Sequence, residues 1–166
     1  METIDFVKMD YEHGKEIMDI FNYYIENSFA AYPSKKMPQE YYGKIIEVTN
    51  GYPAYTIKLN NKIVGFCFIR AYNPFSTFKE TAEISYFISK EYSGKGLGKM
   101  ALDKLEQEGK KMGVRKLLAN ISSENVNSLS FHRKYGFKEC GRLTEVGEKF
   151  GKKFDIIWME KDLNQD

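Results

Sequence analysis

Apolar and polar residues alternate through "TIDFVK" near the start of the chain, and a period of two predicts a strand there. From Gly14 the period changes: Ile17, Ile20, Phe21, Tyr24 and Ile25 recur at helical spacing, ending near Asn27 and Ser28. "SFAAYPSKKMP" carries two prolines and predicts a loop. Pro38, tolerated in a first helical turn, is expected to open a second helix through Tyr41, Ile45 and Val48, which "NGYP" closes. "AYTIKL" and "KIVGFCFIRAY", separated by "NN", predict a hairpin. The looser "NPFSTFKE" precedes another strand, "TAEISYFIS", then the glycine-rich "EYSGKGLGK" and a helix with Leu97, Ala101, Leu102 and Leu105 on one face. "GVRKLLANIS" predicts a strand and "NVNSLSFHRKYGF" a short helix stopped at Gly136. "KECGRLTEV" and "KFDIIWMEK" predict two final strands joined through "GEKFG".

Helices and strands therefore interleave in the order β-α-α-β-β-β-α-β-α-β-β, the pattern of an α/β or α+β sheet with mixed strand directions. The 166 residues suit one compact domain, and no repeat or interdomain linker interrupts them. At 42% hydrophobic and 29% charged the chain is ordinary globular material. A net charge of +2 argues against a dedicated nucleic-acid binder, which carries a basic excess or stripe. Cys67 and Cys140 stand in neither disulfide-scaffold nor zinc-ligand spacing. The N-terminus "METIDFVKMDYEHGKE" is charged from its second residue, and no apolar run approaches membrane-spanning length. A cytoplasmic protein without nucleic-acid or membrane partners is the expectation.

The chemistry gathers around "EYSGKGLGKMALDKL". A Walker loop needs Gly-Lys followed by Ser or Thr, whereas Gly98 is followed by Lys99 and Met100. Gly94, Gly96 and Gly98 are one residue short of the dinucleotide fingerprint. What remains is a strand feeding a helix N-terminus through bare backbone, where consecutive N–H groups and the helix dipole favour an anion. A pyrophosphate fits such a turn without a metal, with Lys95 and Lys99 adding charge at the rim. A merely convenient loop is the alternative.

"YSGKGLGKMALDKL" resembles the acyl-CoA pyrophosphate loop of the GNAT family of N-acetyltransferases, Arg/Gln-x-x-Gly-x-Gly/Ala, with Tyr92 or Ser93 in place of the usual basic or amide residue. "NVNSLSFHRKYGF" is similar to that family's second signature through Asn125, Ser128, Gly136 and Phe137. "IFNYYIENSFAAY", "TAEISYFIS" and "CGRLTEVGEKFGKKFDIIWMEKDL" extend the likeness to the phosphinothricin acetyltransferase-like branch. The resemblance implies one domain spanning 1–166, with a mostly antiparallel sheet of about six to seven strands flanked by about four helices. It also implies acetyl transfer from acetyl-CoA, without a metal, to a small-molecule amine acceptor by direct attack in a ternary complex. The acceptor would be an amino acid or an analogue of the phosphinothricin, methionine sulfoximine or sulfone type, and the protein a homodimer.

The residues sort accordingly. Glu83 sits on a central strand with Ala82 and Ile84 pointing to the opposite face; a carboxylate there needs a partner or water, and the branch has its base at this place. Ser85 follows on the same face and would contact the amine. The resemblance assigns the backbone of Tyr86, Phe87 and Ile88 to the acetyl carbonyl, with free amides near Phe87. It puts Gly94, Lys95, Gly96, Leu97, Gly98 and Lys99 on the pyrophosphate, Asn125 and Ser128 on the pantetheine arm, and Lys134 on a phosphate. His132 stands where many members carry a tyrosine general acid; the other reading is a packed helix-face residue. Asn73, Pro74 and Phe75 correspond to an Arg-Pro-Phe triplet that holds the acceptor. Asn73 lacks the guanidinium charge, so Arg70 or Lys79 would have to supply it. Phe29 and Tyr32 would form the far wall. Two other readings stay open: acetylation of a peptide N-terminus, and a non-catalytic acyl-CoA sensor.

Overall fold

The computed structural model describes residues 1–163. Its strands are β1 (Ile4–Lys8), β2 (Ala54–Leu59), β3 (Lys62–Ala71), β4 (Thr81–Ile88), β5 (Lys116–Ser122), β6 (Lys138–Lys149) and β7 (Lys152–Asp162). Its α-helices are α1 (Gly14–Asn27), α2 (Tyr41–Thr49), α3 (Leu97–Lys111) and α4 (Val126–Lys134). The strands form one seven-stranded sheet in the order β1-β2-β3-β4-β5-β7-β6. Every neighbouring pair is antiparallel except β4–β5, which is parallel.

Alternation along each strand sends side chains to two separate cores. On one face Cys67, Ile69, Ala82, Ile84, Leu117, Ala119 and Met159 pack with Leu102 and Leu105 of α3. On the other Phe66 and Phe68 pack with Ile17 and Met18 of α1 and with Tyr42 and Ile45 of α2. The sheet is the middle layer of three. By the same alternation Glu83, Ser85 and Phe87 lie on the α1–α2 face.

Two boundaries differ from the sequence pattern. Pro38 does not open α2: it begins a tighter lead-in turn, with Tyr41 N–H donating to the Pro38 carbonyl at 3.0 Å and Tyr42 N–H to Gln39 at 3.1 Å, and α2 starts at Tyr41. β6 does not stop at Val146 but runs through "GEK" to Lys149, and the chain reverses on Phe150 and Gly151 with φ of 54° and 73°. Gly147 makes this possible, because a Cβ there would lie 2.3 Å from the Phe154 ring. The expected "NN" hairpin forms on Asn60 and Asn61, at φ 49° and 68°.

One feature of the sheet creates the site. β4 and β5 pair only through Thr81↔Lys116, Ala82↔Leu117 and Glu83↔Leu118, although β4 continues to Ile88 and β5 to Ser122. Beyond Glu83 each strand keeps its other neighbour: β4 stays with β3 as far as Gly65↔Ile88, and β5 stays with β7 as far as Ser122↔Ile156. The two halves of the sheet part into a wedge, and Glu83 stands at its apex.

Candidate active site

A cleft of about 570 Å³ fills the wedge. β4 contributes Ile84 to Ile88, β5 contributes Ala119 to Ser122, α4 contributes Ser128, Phe131 and His132, and the segment after α1 contributes Phe29 and Tyr32. The ladder parity decides which β4 amides enter it. Ser89 N–H donates to the Val64 carbonyl at 2.7 Å and Tyr72 N–H to Thr81 at 3.4 Å, so the odd-numbered residues between face β3. The amides of Tyr86 and Ile88 therefore face the wedge, whereas that of Phe87 is turned to β3. Of the three residues expected to offer free amides near Phe87, the two that flank it turn theirs to the wedge and Phe87 itself does not.

The glycine turn lies between β4 and α3. Gly94 and Gly96 have φ of 76° and 86°, and a Cβ at either would meet nothing within 4 Å. Left-handed backbone, not crowding, is what calls for glycine here. The first helical bond of α3 runs from Met100 N–H to the Gly96 carbonyl at 3.2 Å, and Gly96 has no side-chain cap. Among the described residues, the amides from Gly94 to Lys99 meet no protein acceptor. Such a row at the start of a helix is a ready anion site. The lysines are partly occupied: Lys99 pairs with Asp103 and lies 5.1 Å from the Tyr135 ring centre, while Lys95 sits 5.5 Å over Tyr92. Leu97 sends its side chain into the core, Gly98 lines the cleft, and Lys134 is exposed against Tyr135.

Asn125 and Ser128 meet at the mouth of α4, where Asn125 Oδ1 accepts Ser128 N–H at 3.3 Å. This N-cap uses only the amide oxygen, leaving the Asn125 NH2 available in the cleft. His132, 4% exposed, places Nδ1 at 2.7 Å from the Ser128 carbonyl and 3.2 Å from Ser128 Oγ, and its Nε2 on the Tyr86 hydroxyl. A carbonyl only accepts, so Nδ1 carries the hydrogen and Nε2 accepts the Tyr86 proton. Burial pushes the imidazole pKa below its ordinary value, against the Ser128 carbonyl, which pulls it upward; burial also raises the Tyr86 phenol. Both groups are neutral near neutrality.

At the apex, next to the lining residue Ile84 but not itself among the cleft's lining residues, the half-buried Glu83 carboxyl is pushed above the usual carboxylate range by desolvation, partly offset by Arg70. Above the wedge Tyr32 donates to Asn120 Oδ1 at 2.7 Å and stacks on Phe154, and Phe29 packs edge-on against Phe150 and Phe154. The wedge thus brings together Phe29, Tyr32, Ser85, Tyr86, Phe87, Ile88, Gly98, Asn125, Ser128 and His132. Asn73, Pro74 and Phe75 are not among its lining residues: Asn73 Oδ1 accepts Phe75 N–H at 3.0 Å within its own loop, and Phe75 is 71% exposed. Asn120 and Tyr24 were not expected in the site. Asn120 was detectable as a polar residue on the face of β5 opposite Leu117, Ala119 and Ile121. Tyr24, bonded to the Ile88 carbonyl, looked like ordinary helix packing. Among the described residues there is no cluster of three or more metal-binding side chains, and no helix is long and apolar enough to cross a membrane.

Comparison with known proteins agrees with this geometry. The chain is 31% identical over 115 residues to an L-amino acid N-acyltransferase of Escherichia coli, covering 69% of this chain and 67% of that one. It is 30% identical over 115 residues to an L-methionine sulfoximine/L-methionine sulfone acetyltransferase of Salmonella typhimurium, with the same coverage of 69% and 67%. An acetyltransferase from Salmonella typhimurium solved with its cofactor acetyl-CoA superposes with a TM-score of 0.88 at 26% identity, over 99% of this chain and 95% of that one. Residues 17–137 match the acetyltransferase (GNAT) family, and the chain belongs to it.

Proposed function

We propose that this protein transfers the acetyl group of acetyl-CoA to the primary amine of a small molecule, an amino acid or amino-acid analogue, by direct attack within the wedge. The observation that carries this reading is the unpaired amide row at Gly94–Lys99 beside a cleft that opens between β4 and β5 where their pairing ends at Glu83. Acetyl-CoA supplies an activated thioester. The residues present fit it: the amides from Gly94 to Lys99 would hold the diphosphate, and the Asn125 side-chain NH2 the pantetheine arm. The names of the relatives support the acceptor class.

The chain's own groups then divide the work. The amides of Tyr86 and Ile88 point into the gap without a strand partner and would donate to the acetyl carbonyl oxygen, stabilising charge that grows as the amine attacks. Glu83 would accept the proton the amine must lose, directly or through a water; a carboxyl raised by burial is better matched to that task near neutral pH. His132 orients Tyr86 rather than giving up a proton, since its one hydrogen is committed to the Ser128 carbonyl. Holding both reactants in one cleft lowers the barrier further by removing the cost of bringing them together. The aromatic wall of Phe29 and Tyr32 favours a small acceptor over a peptide. We also place the homodimer contact on β6, an exposed edge strand carrying Leu143 and Val146.

Release of free thiol from acetyl-CoA, measured over a panel of methionine sulfone, methionine sulfoximine, phosphinothricin, polyamines and short peptides, tests the reading. Turnover is expected with the amino-acid analogues. Tight acetyl-CoA binding with no amine-dependent release would leave a sensor, and preference for peptides would move the acceptor to protein N-termini.

A further inference from the structure

Ser85 and Asn120 each stand two residues beyond the last rung that joins β4 to β5, Glu83↔Leu118, on the α1–α2 face of their strands. Both line the cleft, one on each side of the wedge. The Tyr32 phenol has one hydrogen and gives it to Asn120 Oδ1 at 2.7 Å, the Asn120 carbonyl lying farther off at 3.5 Å. That bond occupies the oxygen end of the half-buried Asn120 amide and fixes which way the group is turned. Among the described residues its NH2 meets no protein acceptor. A neutral donor is thus left over in the cleft, beside the aromatic wall of Phe29 and Tyr32.

No free cation accompanies that donor. Lys90, which lines the cleft, sits in the short turn Lys90–Tyr92 that leads to the glycines. Lys149, behind the wall, spends its ammonium on the Ser28 and Ala31 carbonyls. The lining carboxylate Glu124 is paired with Lys152 at 2.6 Å. Burial raises the Tyr32 phenol pKa and the Glu83 charge raises it further, so the ionic influence on that hydroxyl is a carboxylate's. An anion seated against Tyr32 and Asn120 would be repelled by Glu83 and neutralised by nothing.

We propose that Asn120 is a specificity-determining residue whose NH2 donates to an uncharged oxygen on the acceptor's side chain, of the kind a sulfone or sulfoximine carries. This rests on the transferase reading above and adds to it the group that selects the side chain. The aromatic wall takes the methylene stem of such a side chain and the amide takes its tip. An aliphatic side chain of the same length leaves the NH2 covered and without an acceptor, which costs binding. A phosphinate also offers oxygens, but it brings a charge that this end of the cleft does not neutralise.

The test compares L-methionine sulfone with L-norleucine, which has the stem without the oxygens, and with phosphinothricin, whose tip is an anion. The native enzyme is expected to favour the sulfone over each in kcat/KM by at least about 10-fold. Asn120→Leu removes both donors at similar size. It should cost the sulfone about 10-fold, mostly in KM, and norleucine far less, so that the preference between them falls towards unity. Asn120→Asp keeps an oxygen for the Tyr32 hydroxyl but has no hydrogen to give, and it should lose the preference as well, which separates the donor from mere size. Equal or better use of norleucine or phosphinothricin by the native enzyme, a sulfone preference that survives either substitution, or parallel loss of sulfone and norleucine overturns the assignment while leaving the transferase intact. Turnover of other amines but of none of these three does the same. Absence of turnover with any amine overturns the transferase reading and this one with it.

Discussion

The Lys149 ammonium donates to the Ala31 carbonyl at 2.6 Å and to the Ser28 carbonyl at 2.7 Å, fastening the tip of the β6–β7 hairpin to the segment that follows α1. Lys149 is only 5% exposed. Asn22, also buried, grips the far end of the same segment through both backbone groups of Met37, at 3.1 and 2.8 Å. Phe29 and Tyr32 lie between these anchors, so this wall of the cleft is positioned by two polar residues that do not line it.

Replacing Lys149 by Met should therefore loosen that wall. We expect KM for the acceptor to rise several-fold with acetyl-CoA affinity unchanged, and stability to fall by about 1–3 kcal/mol as two carbonyls lose their donor. Burial holds the Lys149 pKa below its ordinary value, so the unfolded chain binds the extra proton between the two values. Native stability accordingly gains as pH rises through that alkaline window, and urea titrations across it should show a gain that Lys149→Met lacks.

Glu83→Gln should lower kcat by about 10²- to 10⁴-fold without changing acetyl-CoA affinity, the range for loss of a positioned base. The native acid limb of kcat/KM should fall above the usual carboxylate range. The same burial costs stability once the carboxyl ionises, because its folded pKa exceeds its unfolded one. Glu83→Gln should thus melt higher than native protein at neutral pH, and the advantage should shrink as pH falls through the folded pKa and vanish below the unfolded one. An unaltered rate would remove Glu83 from the chemistry.

Much of this site was legible in the residue order. Alternation in "TAEISYFIS" separates Glu83 and Ser85 from Ala82 and Ile84, and the spaced glycines locate the bare helix start. What was hidden depends on competition between distant partners. Nothing local to β4 says that β3 and β7 will pull the two halves apart after Glu83. Tyr86 and His132 are 46 positions apart, and Lys149 and Ala31 118 apart. Asn73 was matched to a motif by position alone, and its own loop absorbs the side chain. The expected joint "GEKFG" contains the Phe150–Gly151 reversal, but its narrowing to those two residues was hidden because a phenylalanine at positive φ has no composition signal.

Tyr86→Phe should expose what His132 does. Among the described residues it removes the one donor to the buried Nε2, for an expected cost of about 1–3 kcal/mol. Because the His132 pKa is depressed, native stability should fall as pH drops from the unfolded imidazole value through the folded one. Nitrogen NMR should report a neutral ring with hydrogen on Nδ1 at pH 7. A ring protonated at that pH would return His132 to the role of acid.

The glycine turn permits a test of what binds the diphosphate. Gly96 sits at φ 86° with open space around a would-be Cβ, so Gly96→Ala meets no clash and acts only through the backbone, at about 1–2 kcal/mol for holding a left-handed alanine. If amides are the ligand, tilting them should weaken CoA binding about 10-fold or more by calorimetry. Lys99→Met removes a charge already paired with Asp103 and should weaken it far less. Lysine-dominated binding would reverse that order and add a steep loss of affinity with salt, since exposed charges are screened where backbone donors in a cleft are not.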